Sequence, residues 1–238
     1  MQDISLPKAA KVVIIGGGVV GCSVAYHLAK LGWRDILLLE RKQLTSGTTW
    51  HAAGLIAQLR ATQNMTRLAK YSQELYTGLE AETGVATGFR QNGSITAALS
   101  DARMEELRRG AAMARAFGVE IEEITPSDIA NRYPGLNVSD CKGGVFLAKD
   151  GQADPVNITQ ALAKGARANG AKIFEGIKVT GITTKAGAIA GVSTDNGYIT
   201  AEYVVNCGGM WARDIGNMAG VSVPLHACEH FYIVTEQI

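Results

Sequence analysis

The sequence predicts an α/β fold with a parallel sheet, into which a second domain is inserted. A β-branched run at 11–16, a helical period at 19–31 and a buried apolar run at 35–40 follow one another. Together they span about thirty residues, the length of a strand–helix–strand unit with a right-handed crossover. A glycine-rich turn joins the first strand to the helix. From Phe89 the pattern changes to short strands and charged helices, which indicates the second domain.

The remaining elements follow from periodicity and from turn signals. Leu68, Tyr71, Leu75 and Leu79 recur at helical spacing and predict an amphipathic helix over 61–83. Asp154-Pro155 supplies an N-cap and a first-turn proline for a helix at 156–169. Other helices are expected at 101–117, at 126–133 and from Trp211, and strands at 89–99, 171–174, 178–183, 189–194 and 198–205. Turns are expected at Ala186-Gly187 and Asn196-Gly197.

These elements divide the chain into four predicted segments. The first domain comprises 1–85 and 149–220, the inserted domain is 86–148, and residues 221–238 begin a second segment of the inserted domain. The last residues, "YIVTEQI", are expected to lie on a strand of that domain.

Composition limits the classes of function. The 238 residues carry 23 Lys and Arg against 22 Asp and Glu, with no basic cluster, so neither nucleic acid nor an anionic membrane is expected as a partner. The four cysteines are scattered without zinc spacing, which predicts reduced thiols and no metal site. Three glycines interrupt the apolar run at 12–29, so strand, turn and helix explain it better than a membrane span or a targeting segment. We expect a cytoplasmic protein or, after removal of a presequence, one of the mitochondrial matrix.

The glycine-rich turn matches the dinucleotide-binding pattern G-x-G-x-x-G. Gly16 permits the tight turn, Gly18 lets a pyrophosphate approach the backbone, and Gly21 lets the helix pack closely on the strand. The amide-rich N-terminus of the following helix favours the phosphates. A bare pattern of this kind is weak, since glycine-rich turns are common.

The residue that closes the second strand strengthens the pattern. Glu40 follows Gly21 by 19 positions, close to the distance of about twenty residues expected for a carboxylate that binds the ribose hydroxyls. A solvated charge at a strand end is the alternative. Arg41 beside it could select a 2′-phosphate, and the pattern alone leaves NAD, NADP and FAD open.

The loop "TSGTTWHAAG" at 45–54 follows that strand on the ligand side of the sheet. Its small and hydroxyl-bearing residues suit a phosphate or a flavin edge, but an ordinary polar loop that caps the next helix has the same composition. His51, taken alone, is more often a structural residue than a catalytic one.

The loop and its surroundings resemble a known family. "LTSGTTWHAAGL" (44–55) and "VVIIGGGVVGCSVAYHLAKLGWRDILLLER" before it are similar to sarcosine dehydrogenase and dimethylglycine dehydrogenase. So are "GFRQNGSI" (88–95), "DGQADP" (150–155), "VVNCGGMWARDIGNMAGVSVPL" (204–225) and "EHFYIVTEQI" (229–238). The resemblance implies a Rossmann-like FAD-binding domain of the glutathione-reductase and D-amino-acid-oxidase type, with an inserted, incomplete α+β substrate domain.

The resemblance also implies how the cofactor is held. It implies that His51 is bonded covalently to the 8α-methyl group of FAD. Small residues beside the histidine would then leave room for the flavin ring. The implied FAD contacts are Val19, Val20, Glu40, Arg41, the loop Gly47, Thr48, Thr49, Trp50, His51, Ala52, Ala53, Gly54 and Leu55, a backbone contact near Val179, and the return turn with Gly208 and Trp211.

Substrate chemistry suggests one further residue. A protonated methylamine lacks the lone pair that drives its oxidation, and a neutral histidine accepts that proton or holds the amine. His230 matches a histidine near the flavin in the family, whereas His226 is a poorer match and His27 is expected to be structural.

The resemblance therefore implies a function for the chain. The expected reaction is oxidative N-demethylation of sarcosine or dimethylglycine by hydride transfer to covalently bound flavin, with electrons passed to an electron-transfer flavoprotein. The chain is expected to be an N-terminal fragment, and folate would be bound only if a C-terminal domain follows it. The alternatives are an oxidase of another amine or D-amino acid and a truncated nucleotide-binding module without catalysis.

Overall fold

A computed structural model describes residues 5–233 and 236. The strands are β1 Ala9–Ile15, β2 Ile36–Leu39, β3 Leu55–Ile56, β4 Ser94–Ala98, β5 Glu122–Ile124, β6 Gly143–Leu147, β7 Gly151–Gln152, β8 Lys172–Phe174, β9 Val179–Lys185, β10 Ala188–Thr194 and β11 Gly197–Asn206. The helices are α1 Val19–Lys30, α2 Gln63–Thr83, α3 Asp101–Ala116, α4 Pro126–Arg132, α5 Pro155–Ala168 and α6 Ala212–Met218. Short 3₁₀ turns cover Thr49–His51 and Gly209–Trp211.

The chain forms two compact units. One comprises the residues up to Ala52 together with those from Leu162 onward, and the other is Ala53–Ala161. The predicted inserted segment, 86–148, lies wholly within the second unit. The roles of the two units in cofactor and substrate binding stay a prediction.

The first unit is built on a six-stranded mixed sheet in the order β8-β2-β1-β11-β10-β9. Strands β8, β2, β1 and β11 run parallel to one another. This confirms the parallel pairing predicted for β1 and β2. The strands β9, β10 and β11 form two antiparallel hairpins whose turns lie where Ala186-Gly187 and Asn196-Gly197 predicted them.

Burial explains why the central strands read as continuous apolar runs. All four residues of β2 are buried, as are the last four of β1, because parallel strands are covered on both faces. Val13, Leu37, Ile177, Val192 and Ile199 belong to one core cluster, each at most 1% exposed. This core fixes the carboxyl ends of β1 and β2. The glycine-rich turn follows β1 directly, and Glu40 follows β2 directly.

The second unit contains a three-stranded antiparallel sheet in the order β4-β6-β5 and the small pair β3-β7. Its core includes Met104, Leu107, Ala111 and Ala114 from one face of α3. Asp150, between β6 and β7, is 3% exposed, and each of its carboxylate oxygens accepts a hydrogen bond. Its Oδ1 accepts the Gln58 backbone N–H at 2.9 Å and its Oδ2 accepts the Ser94 hydroxyl at 2.7 Å.

Helix ends follow the sequence signals closely. The Asp154 carboxylate accepts the backbone N–H groups of Val156 and Asn157 at 2.8 and 3.0 Å, as predicted for the N-cap of α5. Thr125 and Asp128 form a capping box at α4. Such caps pair the N–H groups that the first helical turn leaves open.

Some predicted strands differ from those observed. The strand predicted at 89–99 is limited to β4, with Arg90 in a single bridge to Gln152. Tyr232 and Ile233, the first two residues of "YIVTEQI", form no strand, so the strand expected for that stretch is wrong at these two positions. Val234, Thr235, Gln237 and Ile238 lie outside the described residues.

Within residues 5–233 and Glu236, no helix is long and apolar enough to span a membrane. All four cysteines are free thiols, and Cys22 is completely buried. Burial raises the pKa of Cys22 to about 12 and also raises the pKa of Cys207.

Candidate functional site

A cavity of about 760 Å³ opens at the carboxyl ends of β1 and β2 in the first unit. Its volume lies in the range of roughly 300–1,000 Å³ that small-molecule and cofactor sites occupy. Thirteen predicted site residues line it: Gly16, Gly18, Val19, Val20, Glu40, Arg41, Gly47, Thr48, Thr49, Ala52, Val179, Gly208 and Trp211. The sequence patterns that seemed separate along the chain therefore meet in one cavity.

Two glycines of the turn are required by close backbone approach. Gly16 has φ +113°, and a Cβ atom there would lie 2.3 Å from the Cys207 carbonyl oxygen. A Cβ atom on Gly21 would lie 1.9 Å from the Gly16 carbonyl oxygen. Gly21 does not line the cavity, and its position fits the packing role predicted for it, which lets α1 begin directly against the turn.

The acidic strand end is tied to this turn. The Oε2 atom of Glu40 accepts the Gly17 backbone N–H at 2.7 Å, and its Oε1 atom accepts the Lys42 backbone N–H at 2.9 Å. Each carboxylate oxygen has two acceptor sites, so both keep capacity for a further donor. The half-buried carboxylate is thus fixed at the cavity wall with room to accept hydroxyl groups.

The loop after β2 is fastened to the same turn. The Thr49 hydroxyl oxygen accepts the Val19 backbone N–H at 3.1 Å, and the Thr45 backbone N–H donates to the Gly17 carbonyl at 3.0 Å. Thr45 has φ +72°, an unusual conformation for a threonine, and it is buried. At the start of the loop, the Leu44 backbone N–H donates to the Glu175 carboxylate at 2.8 Å.

Arg41 and Trp211 face each other at the cavity wall. The Arg41 guanidinium carbon lies 3.9 Å from the centroid of the Trp211 ring, within the range of a cation–π contact. A Cβ atom on Gly47 would lie 3.5 Å from the same ring. The pair joins the strand end, the loop and the return turn after β11.

His51 lies beside the cavity rather than in its wall. It follows the lining residue Thr49 by two positions and precedes the lining residue Ala52, and its side chain is exposed. Its Nδ1 atom lies 3.1 Å from the Tyr232 hydroxyl, and its ring centroid lies 3.6 Å from that of Trp50. Trp50 is also exposed and is absent from the cavity wall.

The other predicted residues are distributed differently. Ala53, Gly54 and Leu55 belong to the second unit. Gly54 has φ +76°, and a Cβ atom there would lie 2.0 Å from the Ala153 carbonyl oxygen, so local packing already requires this glycine. His230 and His226 are exposed on the segment that leads to Tyr232. His27 on α1 contacts Ser23 and the Tyr26 ring, which agrees with a structural role.

Several cavity residues were not predicted as individual cofactor contacts. Asn206 shapes the return turn, since its amide nitrogen donates to the Ala212 carbonyl at 2.8 Å and its Oδ1 accepts the Gly208 backbone N–H at 3.1 Å. Its place at the carboxyl end of a strand that pairs parallel with β1 was a usable signal. Gly17, Leu39, Ser46, Ile177, Lys178, Cys207, Gly209, Ala212, Asp214, Ile215 and Met218 also line the cavity.

The family model described as "FAD dependent oxidoreductase" matches residues 11–238. The chain belongs to the FAD-dependent oxidoreductase family. The fold class predicted from the sequence is thereby confirmed.

Individual relatives confirm the predicted resemblance. The chain is 45% identical to human mitochondrial sarcosine dehydrogenase over 98% of its own length, and 40% identical to mouse mitochondrial dimethylglycine dehydrogenase over 96%. It is also 42% identical to the mouse mitochondrial pyruvate dehydrogenase phosphatase regulatory subunit over 98%. The chain spans only 26%, 26% and 27% of these three proteins.

Among solved structures, L-proline dehydrogenase from P. horikoshii superposes with a TM-score of 0.86 at 33% identity, over 91% of this chain and 57% of that chain. The FAD-dependent family is thus supported by sequence and by three-dimensional similarity together.

Proposed function

We propose that this FAD-dependent family member is the flavin-binding portion of a dehydrogenase that demethylates a methylated glycine, with FAD bonded to His51. The observation that carries the proposal is the cavity itself. It brings together the glycine-rich turn, Glu40 and residues of the loop that carries His51. The family match and the dehydrogenases among the relatives support the choice of cofactor and substrate class.

The cavity residues fit a flavin dinucleotide. The first turn of α1 offers N–H groups to the pyrophosphate, and the close backbone at Gly16 and Gly18 leaves space for it. The Glu40 carboxylate would hold the ribose hydroxyls, and the backbone near Val179 would contact the adenine. Arg41 and Trp211 would hold the cofactor from the cavity wall, and the loop from Gly47 onward would contact the flavin ring.

His51 forms the covalent bond in this proposal. With FAD bound, Nε2 of His51 would supply the electron pair of the new bond to the 8α carbon, and the imidazole would give up one proton. The ring methyl group would lose the second proton, and molecular oxygen would take up the two electrons released, giving hydrogen peroxide. The small Ala52 that follows the histidine would leave it accessible to the ring methyl group.

Substrate oxidation uses a second histidine. When bound, FAD accepts a hydride from the carbon next to the amine nitrogen, and the resulting iminium is hydrolysed. His230 accepts the ammonium proton beforehand or holds the amine, since a protonated amine lacks the lone pair that drives the reaction. We propose sarcosine or dimethylglycine as the substrate and an electron-transfer flavoprotein as the acceptor. The relatives are named as mitochondrial, so we also propose the mitochondrion as the location. Folate binding would require a domain beyond these residues.

Acid precipitation tests the covalent bond. The protein, expressed with riboflavin, is precipitated in acid, and flavin fluorescence is measured in pellet and supernatant. Fluorescence is expected in the pellet for the parent chain and for His226→Ala, and in the supernatant for His51→Ala. A colourless parent pellet with free flavin in the supernatant would refute the covalent link.

A second candidate is a nucleotide-binding module without catalysis. It is favoured by the phosphatase regulatory subunit, whose identity to this chain is as high as that of the dehydrogenases. Anaerobic titration with sarcosine and dimethylglycine separates the two, because a dehydrogenase bleaches its bound flavin and a binding module does not. If bleaching occurs, fast reoxidation by air in a stopped-flow experiment would instead indicate an amine or D-amino-acid oxidase.

A further inference from the structure

Two aromatic side chains and one backbone hydrogen bond hold His51 in place. Its backbone N–H donates to the Thr48 carbonyl at 3.2 Å within the 3₁₀ turn. The Trp50 ring lies against the imidazole, with 34° between the ring planes. From the other end of the chain, the Tyr232 ring approaches edge-on with its centroid 6.2 Å away, and its hydroxyl lies 3.1 Å from Nδ1.

The direction of the hydrogen bond between His51 and Tyr232 sets which ring nitrogen of His51 is nucleophilic. A neutral imidazole has one N–H and one lone pair, and the partner of one nitrogen sets the state of the other. A tyrosine hydroxyl both donates and accepts. If its oxygen accepts from Nδ1–H, the lone pair is on Nε2. If it donates to Nδ1, Nε2 carries the hydrogen and cannot form a bond to carbon.

We infer that Tyr232 is a positioning residue for the attachment of flavin: its hydroxyl oxygen accepts Nδ1–H of His51 and so keeps the lone pair on Nε2. The inference rests on the proposed function, because it assigns a role in forming the bond between His51 and FAD. Among the contacts of the described residues, Nδ1 is engaged and Nε2 is left for the cofactor.

The same hydrogen bond assists the reaction as it proceeds. When Nε2 forms its bond to the 8α carbon, positive charge develops on the imidazole and Nδ1–H becomes more acidic. A hydrogen bond to a charged donor is about twice as strong as a neutral one. The Tyr232 oxygen would therefore stabilise the charged ring until Nδ1 releases its proton. That proton and the one from the methyl group are the two protons lost in the overall reaction, together with two electrons.

Tyr232 can be changed with little effect on packing. Its side chain is 58% exposed, and its neighbours Phe231 and Ile233 are each 91% exposed. Tyr232→Phe keeps the aromatic ring and removes only the hydroxyl. Tyr203→Phe is a matched control, because Tyr203 is 51% exposed in the same unit and contacts the Trp33 ring instead.

The first measurement needs no cofactor. The full chain is produced without flavin and with ¹⁵N-labelled histidine, and the ring nitrogen shifts of His51 are assigned by comparison with His51→Ala. The Nδ1–H tautomer is expected to dominate in the parent and in Tyr203→Phe, and to fall in Tyr232→Phe. A parent His51 with its hydrogen on Nε2, or the same tautomer ratio in Tyr232→Phe, would overturn the inference.

The second measurement is the rate of covalent attachment after FAD is added to these flavin-free proteins, followed as acid-stable fluorescence. Tyr232→Phe is expected to react roughly tenfold more slowly than the parent, the factor for about 1.4 kcal/mol, and Tyr203→Phe at the parent rate. An unchanged rate in Tyr232→Phe counts against the inference. If the parent forms no covalent flavin, the proposed function fails instead, while the tautomer measurement still decides the pairing of Tyr232 with His51.

Discussion

The hydroxyl oxygen of Thr49 accepts the backbone N–H of Val19, although 30 positions separate the two residues. Val19 is the first residue of α1, so a loop threonine caps the helix that begins at the glycine-rich turn. The loop and the turn are therefore one structural unit. A change in either alters the cavity wall that they share.

Replacing Thr49 with valine is expected to loosen this unit. The variant keeps the shape of the side chain and leaves the Val19 N–H without its acceptor. Loss of a cap of this kind costs about 1 kcal/mol of unfolding free energy. Urea unfolding followed by circular dichroism measures it. Thr48→Val is the control, since the Thr48 side chain is exposed, and equal midpoints for both variants would contradict the capping role.

Gly21→Ala is expected to disrupt the start of α1. The new methyl group would meet the Gly16 carbonyl oxygen at 1.9 Å, so backbone must move. Overpacking typically costs about 1–3 kcal/mol, and here it also distorts the turn that we propose as the pyrophosphate site. We expect a lower melting temperature and lost flavin. Gly78→Ala in α2 meets no atom within 4 Å and is expected to leave stability equal or higher. A Gly21→Ala protein as stable as the parent would exclude this packing role.

Glu40→Gln is expected to weaken nucleotide binding. A hydrogen bond to a charged group is worth about 1.5–3 kcal/mol against about 0.5–1.5 for a neutral one, so affinity should fall roughly tenfold. Isothermal titration of the flavin-free chain with ADP measures this change. Glu202→Gln, at an exposed position of β11, should bind as the parent does. Equal affinity of the parent and both variants for ADP would show that Glu40 is only a solvated charge at the end of a strand.

Alkaline pH is expected to destabilise the first unit through Cys22. Burial raises the pKa of this thiol to about 12, so the folded state keeps it protonated while the unfolded state loses the proton near the ordinary thiol value. A raised folded pKa gives stability that is complete below the unfolded pKa and is lost as pH rises toward the folded pKa. The loss is about 1.4 kcal/mol per pH unit above roughly pH 9.

The contribution of Cys22 is separated from other groups by comparing variants. Urea unfolding between pH 8.5 and 10.5 should show a shallower decline for Cys22→Ala than for the parent. Cys228→Ser, at an exposed site, should follow the parent. The explanation fails if Cys22→Ala declines as steeply as the parent.

Asp150→Ala is expected to destabilise the second unit. The substitution leaves the Gln58 N–H and the Ser94 hydroxyl without their buried acceptor. Each bond to a charged group contributes about 1.5–3 kcal/mol, and an unpaired buried donor adds to the loss. Hydrogen exchange of β4 and β7 is expected to accelerate. Asp140→Ala, at an exposed position, should exchange as the parent does, and slow exchange in Asp150→Ala would argue against this role.

Local sequence patterns predicted most of what surrounds the cavity. The order strand, glycine-rich turn, helix and acidic strand end is encoded by neighbouring residues, and so is the Asp154 cap of α5. Strands β3, β5, β6 and β7 were not predicted, because they are short and depend on distant partners. In β6, Gly143 and Gly144 reduce strand propensity, yet a Cβ atom on Gly144 would lie 2.5 Å from the Thr96 carbonyl oxygen of β4.

In the site, too, local patterns were predicted and contacts between distant residues were not. The loop was identified by its residues, and its histidine only by family resemblance. The approach of Tyr232 to His51 joins positions 181 residues apart, for which no local pattern exists. The return turn at Asn206 lies in a segment that resembles the family, but its hydrogen bonds to Gly208 and Ala212 depend on the backbone geometry of the turn.

The contact between Arg41 and Trp211 gives the protein an internal optical reporter. Trp33 contacts Tyr203 and Trp50 lies against His51, so each of the three tryptophans has its own surroundings. Only Trp211 is part of the cavity wall among the residues described. A chain with Trp33 and Trp50 changed to phenylalanine keeps Trp211 as its one indole emitter, so quenching of that emission would signal occupancy of the cavity without any added label.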